Sequence, residues 1–189
     1  MPKVQFGISQ LHVGTYTEVT TTSGTTITLG TPYHQAGAVS FSPEVESSNN
    51  DFYADNIVYW SGYSGGKIEG DLEVAMFDDT FKTQFLGYKT LTNGGLANVK
   101  NPTKSNVYIA FQTETDGTPI RVILYNCSLG DISRSYETIG EQKEPKTATL
   151  PITCIGASTN GVTMATFKQG DTGYSTLFSS PTAPVISTT

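Results

Sequence analysis

Residues 67–74, Lys-Ile-Glu-Gly-Asp-Leu-Glu-Val, alternate strictly between polar side chains and apolar or small ones. This period of two predicts a half-buried β-strand, because successive side chains of a strand point to opposite faces of its sheet. The polar positions hold Lys67 and the carboxylates Glu69, Asp71 and Glu73. At a rise of about 3.3 Å per residue, alternate carboxylates lie roughly 7 Å apart on one face. The strand therefore carries either a functional field of negative charge or an ordinary solvated face.

A second strand with an acidic polar face is predicted at residues 36–46. One face holds Val39, Phe41 and Val45, and the other holds Ser40, Ser42, Glu44 and Glu46. Pro43 falls in the apolar register and cannot donate a ladder hydrogen bond, which predicts an edge position or a bulge. Both predicted strands thus offer carboxylates on their polar side.

Residues 47–66, which join these two strands, are predicted to form a long inter-strand loop. Its large aromatic side chains are Phe52, Tyr53, Tyr59, Trp60 and Tyr63. Loops of this length are usually functional or disordered, and aromatic rings gain free energy from burial, which disfavours disorder. A domain of 189 residues cannot easily cover these rings itself. We therefore expect a partner to bury them.

One short helix is predicted at about residues 78–86. Asp78 or Asp79 is a suitable N-cap, and Gly87 suits the position after the C-terminus. Phe77, Phe81 and Phe85 recur at every fourth residue and so share one face of the helix. Each ring contributes about 1.5–3 kcal/mol when fully buried. The three rings are therefore predicted to pack the helix against a sheet.

The rest of the chain alternates between short apolar runs and turn residues, which predicts further antiparallel strands. These are residues 4–13, 16–19 with 25–29, 106–115 with 118–127 around Asp116-Gly117, 129–136, 147–155 and 162–167. The fold class is mainly β with one short α-helix. We assign residues 1–178 to a single domain and expect residues 179–189 to form a flexible C-terminal tail.

Composition argues against several function classes. With 17 acidic and 11 basic residues the net charge is −6, whereas nucleic-acid binders use a basic face to release counterions. No apolar run approaches the roughly 20 residues of a membrane span, and the start of the chain has no apolar region typical of a signal peptide. We expect a cytoplasmic product. Cys127 and Cys154 lie in apolar runs, which predicts a buried and reduced pair.

Motifs for catalysis or cofactor binding are absent from the sequence, including the phosphate-binding loop, the dinucleotide-binding turn and the nucleophile elbow. His12 and His34 are far apart in sequence and are expected to be ordinary polar residues. Glu69, Asp71 and Glu73 could serve as a glycosidase pair or as oxygen ligands of a hard cation, but no histidine or basic partner accompanies them. We expect no catalytic residue, no metal and no cofactor.

A mainly β domain with uncovered aromatic rings also has sheet edges to protect, and pairing with copies of itself does both. Head-to-tail contacts of this kind give rings or helical stacks. An alternative is a receptor-binding or carbohydrate-binding β-sandwich in which Tyr59, Trp60 and Tyr63 stack on sugars. An enzyme that uses the acidic strand as its catalytic site ranks third.

Several segments resemble one known family in order and spacing. They are residues 52–56, 66–75, 85–87, 107–113, 116–117, 121–125 and 133–138, together with the opening strand, its hairpin and residues 32–41. Over about residues 3–160 the chain resembles the major tail protein (tail tube) family of long-tailed, non-contractile bacteriophages, the siphophages. The hairpin at residues 15–30 is longer than usual for that family, and the last thirty residues match no part of it.

The resemblance implies a β-sandwich or half-barrel that assembles into a ring-shaped β-barrel, with six subunits per ring, a helix packed outside and a long loop that reaches the adjacent ring. It implies a structural virion protein of the tail, synthesised in the host bacterial cytoplasm. Its partners would be copies of itself, the tape measure protein, the tail terminator and the baseplate or distal tail proteins. The residues facing the bore would be Glu44, Glu46, Glu69, Asp71 and Glu73, and DNA would pass without specific binding.

Overall fold

The computed structural model describes residues 4–54, 56–138 and 145–187. The elements of this part are β1 Gln5–Thr21, β2 Gly24–Leu29, β3 Tyr33–His34, β4 Ala38–Ala54, β5 Ile57–Val74, α1 Asp79–Phe85, β6 Lys89–Thr90, β7 Leu96–Ala97, β8 Val107–Thr115, β9 Ile120–Leu129, β10 Ser133–Arg134, β11 Ala148–Cys154, β12 Met164–Phe167 and α2 Thr172–Thr176. The predicted mainly β class is confirmed. None of the helices in these ranges is long and apolar enough to span a membrane.

The strands pair antiparallel in one large sheet with the order β2-β1-β8-β9-β11-β5-β4. Three short strands join this path from the side, with β3 on β1, β12 on β9 and β10 on β11, and β6 pairs with β7 separately. The order ends at β2 and β4, so the sheet of the described chain does not close into a barrel. β4 is therefore an edge strand, as Pro43 predicted.

The sheet folds over on itself and encloses the larger of two apolar clusters. Phe41 of β4 meets Phe111 of β8 edge to face, with ring centroids 5.7 Å apart, although β9, β11 and β5 separate these strands in the sheet order. Along β8, Val107 and Ile109 enter this cluster, whereas Tyr108 enters a smaller cluster on the opposite face. β8 and β9 are buried on both faces, which explains their nearly continuous apolar sequence.

α1 lies where the sequence predicts it, with ends within one residue of the expected bounds. The carboxylate of Asp78 caps the helix by accepting a 2.7 Å hydrogen bond from the Phe81 amide, and it also accepts one from the Tyr33 hydroxyl. Phe77, Phe81 and Phe85 are all 0% exposed. The predicted phenylalanine stripe is confirmed, and it fixes α1 in the larger cluster.

The predicted loop at residues 47–66 is wrong. β4 and β5 continue through it as one paired hairpin, from Ser47 opposite Gly65 to Ala54 opposite Ile57. The pairing register shifts after Glu46 and after Phe52, and these irregularities interrupt the alternation by which a strand is recognised. The side chains that the structure describes between residues 47 and 66 are mostly exposed, so the periodic signal of a half-buried strand is missing.

The predicted reduced state of Cys127 and Cys154 is also wrong. Both residues are fully buried, as expected, but their sulfurs form a disulfide. β9 and β11 are neighbours in the sheet, and the register sets Cys154 directly opposite Cys127. This adjacency could not be inferred from the sequence, because each cysteine sits in an unremarkable apolar strand.

Other elements differ in detail from the predictions. β8 ends at Thr115 and β9 begins at Ile120, so their connection is longer than a two-residue turn. The strand expected at residues 129–136 shrinks to β10. The strand expected at residues 162–167 is β12, which pairs with β9. The helix α2 was not predicted. The flexibility of residues 179–189 stays a prediction, although the Asn160 amide donates a 2.9 Å hydrogen bond to the Pro184 carbonyl.

Candidate functional site

The pairing of β4 with β5 places the five predicted carboxylates on one surface. Glu44 lies opposite Glu69, Ser42 opposite Asp71, Ser40 opposite Glu73, and Glu46 opposite Lys67. Directly opposed residues of antiparallel strands project to the same side of the sheet. We call the surface formed by Glu44, Glu46, Glu69, Asp71 and Glu73 the acidic face. The reverse side of β5 is buried in the larger cluster through Ile68, Leu72 and Val74.

Hydroxyl groups and one lysine stabilise the charged forms of two carboxylates of this face, Glu73 and Glu69. Glu73 accepts hydrogen bonds from the Thr147 hydroxyl and, at 2.9 Å, from the Ser40 hydroxyl, and these donors lower the pKa of Glu73 in that order. Lys67 Nζ lies 2.6 Å from Glu69 and 3.2 Å from Glu46. The hydrogen bond from Lys67 is the main cause that lowers the pKa of Glu69. The acidic face is therefore negatively charged at neutral pH.

One lysine does not neutralise five carboxylates, and the pair Glu44–Glu69 brings like charges together. Side chains directly opposed across an antiparallel pair have Cβ atoms about 4.5–5.5 Å apart, and like charges there are destabilising. The neighbouring strand β11 extends the same face with Thr149, Pro151 and Thr153, none of which brings a positive charge. The arrangement thus concentrates negative charge at some expense of folding stability.

The second candidate region is the outer part of the β4–β5 hairpin, residues 47–66, which we call the arm. β11 pairs with β5 over residues 68–74, and beyond this point the two strands of the arm pair with each other and with no other described strand. Its large apolar side chains are exposed, including Phe52 at 60%, Tyr53 at 63% and Tyr59 at 72%. Ile57 and Val58 are exposed as well. The side chains of Trp60 and Tyr63 lie outside the described part.

Comparison with known proteins decides the family. A family model described as phage tail tube protein matches residues 3–160 of the chain. The chain belongs to the phage tail tube protein family. It is therefore a structural protein of the bacteriophage virion, located in the tail. A search of curated proteins found no match.

The family match ends before β12, α2 and the C-terminal segment of this tail tube protein. Here the structure reveals a cluster that sequence reasoning missed. The Arg121 guanidinium of β9 lies 4.3 Å from the Tyr174 ring and 4.4 Å from the Phe178 ring. Phe178 also stacks on His12, with centroids 4.5 Å apart. The cluster was missed because its members come from distant parts of the chain.

His12 and His34 meet in this tail tube protein because β1 pairs with β3, and their ring centroids are 4.9 Å apart. Burial is the main cause that lowers the pKa of His12, and the electrostatic influence of the neighbouring His34 and Arg121 acts in the same direction. A lowered pKa favours the neutral imidazole, which is compatible with the apolar stacking of His12 on the Phe178 ring. Within the described ranges, no group of three or more His, Cys, Asp or Glu side chains converges to hold a metal.

Proposed function

We propose that the protein is the major tail tube subunit, whose copies form six-membered rings that stack into a tube around a channel for the phage genome. The acidic face would line this channel, and the arm would contact the adjacent ring. The observation that carries the proposal is the register of β4 and β5, which gathers five carboxylates on one surface and opposes Glu44 to Glu69. A face that opposes like charges suggests a role other than folding stability.

A negative channel wall suits the passage of DNA. Duplex DNA carries one phosphate charge per about 1.7 Å, and a wall that neutralised 6–10 phosphates with Lys or Arg would bind it strongly. Two like unit charges about 10 Å apart in water repel by only roughly 0.4 kcal/mol, and salt reduces even this. The acidic face would therefore prevent adhesion without blocking movement.

Assembly into rings would also use features that the single chain leaves incomplete. β4 is an edge strand, and edge strands have unpaired backbone groups that template pairing with another chain. The arm exposes a row of apolar side chains that a monomer in water does not satisfy. One end of the tube would bind the tail terminator, and the other would bind baseplate or distal tail proteins. The channel would hold the tape measure protein until the genome passes through it.

The arm is tested by deletion of residues 50–63. Because the arm pairs with no other described strand, we expect the shortened protein to stay soluble and to unfold at nearly the same temperature, but to form no long tubes. Negative-stain electron microscopy of concentrated protein measures tube length, and circular dichroism checks the fold. Tubes of normal length would refute the role of the arm. A monomer that binds oligosaccharides through Tyr59 would instead favour a carbohydrate-binding module.

The acidic face is tested by changing Glu69, Asp71 and Glu73 together to lysine. We expect tubes to form, but phage carrying this variant to eject DNA more slowly, because the wall would bind phosphates. The control changes Asp131, Glu137 and Asp171 to lysine; all three are exposed, and the surface ion pairs that Asp131 and Glu137 lose contribute little to stability. A cryo-EM map with the acidic face on the outside of the tube would overturn the assignment.

A further inference from the structure

Charge is unevenly distributed along the chain. Residues 38–74, which contain β4 and β5, hold seven Asp or Glu residues against the single Lys67 and so carry a net charge of −6. Residues 80–113, from α1 into β8, hold four lysines and no Asp or Glu. One copy of the chain therefore carries an acidic hairpin and, separately, a lysine-bearing segment in which Lys82 and Lys104 already pair with Asp79 and Asp131. Opposite charges on separate surfaces favour head-to-tail contact between copies.

A groove of about 510 Å³ lies beside α1, between residues 79–98 and residues 132–136. Tyr88, Leu96, Ile132 and Tyr136 give it an apolar and aromatic lining. Lys82 and Arg134 add positive charge, and Asp79 and Asn98 complete the lining. Lys82 Nζ is already 2.6 Å from Asp79. No described carboxylate forms an ion pair with Arg134, so Arg134 is the cation that the groove offers to an incoming group.

The arm has the complementary chemistry. Residues 47–66 contain Asp51 and Asp55 but no Lys or Arg. The exposed Asp51 accepts a 2.6 Å hydrogen bond from the Ser61 hydroxyl, and it stands next to the exposed rings of Phe52 and Tyr53. An aspartate on the arm next to exposed aromatic rings fits a groove that combines an arginine with an aromatic lining, since arginine pairs with carboxylates and stacks on rings.

The arm does not fill the groove of its own chain. Tyr59 of the arm is 72% exposed and Tyr136 of the groove is 85% exposed. The paired part of each strand beyond Glu46 spans about 26 Å at the usual rise per residue, which is enough to reach a neighbouring molecule. The occupant that fits the charge pattern is therefore the arm of a second copy.

We propose that the groove beside α1 receives the arm of a second copy, with Asp51 facing Arg134 and the exposed rings of Phe52, Tyr53 and Tyr59 against Tyr88 and Tyr136. This inference rests on the proposed tube function and names the surface that receives the arm. Because donor and receptor surfaces differ, the contact is head-to-tail and can repeat from copy to copy, which in the proposed tube builds the stack of rings.

A charge exchange tests the pairing. Asp51→Arg and Arg134→Asp should each reduce the fraction of protein that sediments as tubes at least about fivefold, because each change brings like charges together. The double variant should restore assembly to within about twofold of the unaltered protein. Lys168→Asp, an exposed charge change outside both surfaces, is the control and should have no effect. Single variants that assemble normally would overturn the groove assignment.

Cysteine cross-linking tests the contact directly, and the native Cys127 and Cys154 do not interfere because both are buried. Mixing Tyr59→Cys protein with Tyr136→Cys protein under mild oxidation should give a covalent dimer of the two. The control mixture replaces Tyr136→Cys with Val185→Cys, since Val185 is 89% exposed. Equal yields from both mixtures would overturn the proposal. If tubes form without this cross-link, only the groove assignment fails; if the unaltered protein never assembles, the tube function fails as well.

Discussion

Phe81 occupies the centre of the phenylalanine stripe of α1, and its replacement by alanine tests how the helix is held. Its ring is 0% exposed, with centroids 5.0 Å from Phe77 and 5.2 Å from Phe85. α1 has only seven residues, and isolated helices below about 12 residues are marginal in water. The helix therefore depends on its packing, and Phe81 lies at the middle of that contact.

The expected cost follows from the burial of the ring. Truncating a buried phenylalanine to alanine costs about 3–5 kcal/mol, because it removes apolar contacts and leaves a cavity. Domains are typically stable by about 5–15 kcal/mol, so this single change removes a large share. At about 2–4 °C per kcal/mol for a chain of this size, a loss near 4 kcal/mol lowers the melting temperature by roughly 8–16 °C.

Urea unfolding followed by circular dichroism measures this loss at protein concentrations low enough to prevent assembly, since association would add apparent stability. Gln84→Ala, on the exposed side of the same helix, is the matched control and should change the free energy of unfolding by less than about 0.5 kcal/mol. A loss below about 1 kcal/mol for Phe81→Ala would refute the inference that the stripe fixes α1 to the sheet.

Three further predictions concern the acidic face, the C-terminal segment and the β4–β5 contact. Hydrogen bonds lower the pKa of Glu73 in the folded state. The stability that Glu73 contributes is therefore complete above the pKa of an unfolded glutamate, about 4.3, and disappears as the pH falls through the lower folded pKa. The difference in melting temperature between the unaltered protein and Glu73→Gln should shrink over the same pH range. Arg121→Ala should make chymotrypsin cleave at Tyr174 and Phe178 roughly tenfold faster, because two cation–π contacts are lost. Gly70→Ala should destabilise by about 1–3 kcal/mol by urea unfolding, because its Cβ would lie 2.5 Å from the Ser42 carbonyl oxygen.

Each of these predictions has a contrary outcome. A difference between Glu73→Gln and the unaltered protein that stays constant from pH 7 to about pH 3 would contradict the assigned hydrogen bonds. Equal cleavage of Arg121→Ala and of the control Lys168→Ala would contradict the role of Arg121. Gly7 has no heavy atom near its would-be Cβ, so Gly7→Ala should be nearly neutral, and an equal loss at Gly70 and Gly7 would argue against close packing of β4 on β5.

Short-range signals gave reliable predictions for this chain. α1 was predicted from the spacing of Phe77, Phe81 and Phe85 and from Asp78, because a cap and a repeat every four residues are properties of the local backbone. Strands β8, β9 and β11 followed from their apolar runs. The five carboxylates of the acidic face were also identifiable, because two alternating strands each carried them in the polar register.

The sequence by itself thus determined which residues are polar or apolar on each strand, where the helix begins and ends, and that the chain is rich in negative charge. Only the tertiary structure decided that Glu44 opposes Glu69, that Cys127 meets Cys154, that the arm is a paired hairpin and that Arg121 lies between Tyr174 and Phe178. The physical reason is that periodicity reports how one segment meets its surroundings. Strand order and register depend on contacts between segments that are distant in sequence, and these contacts leave no local pattern.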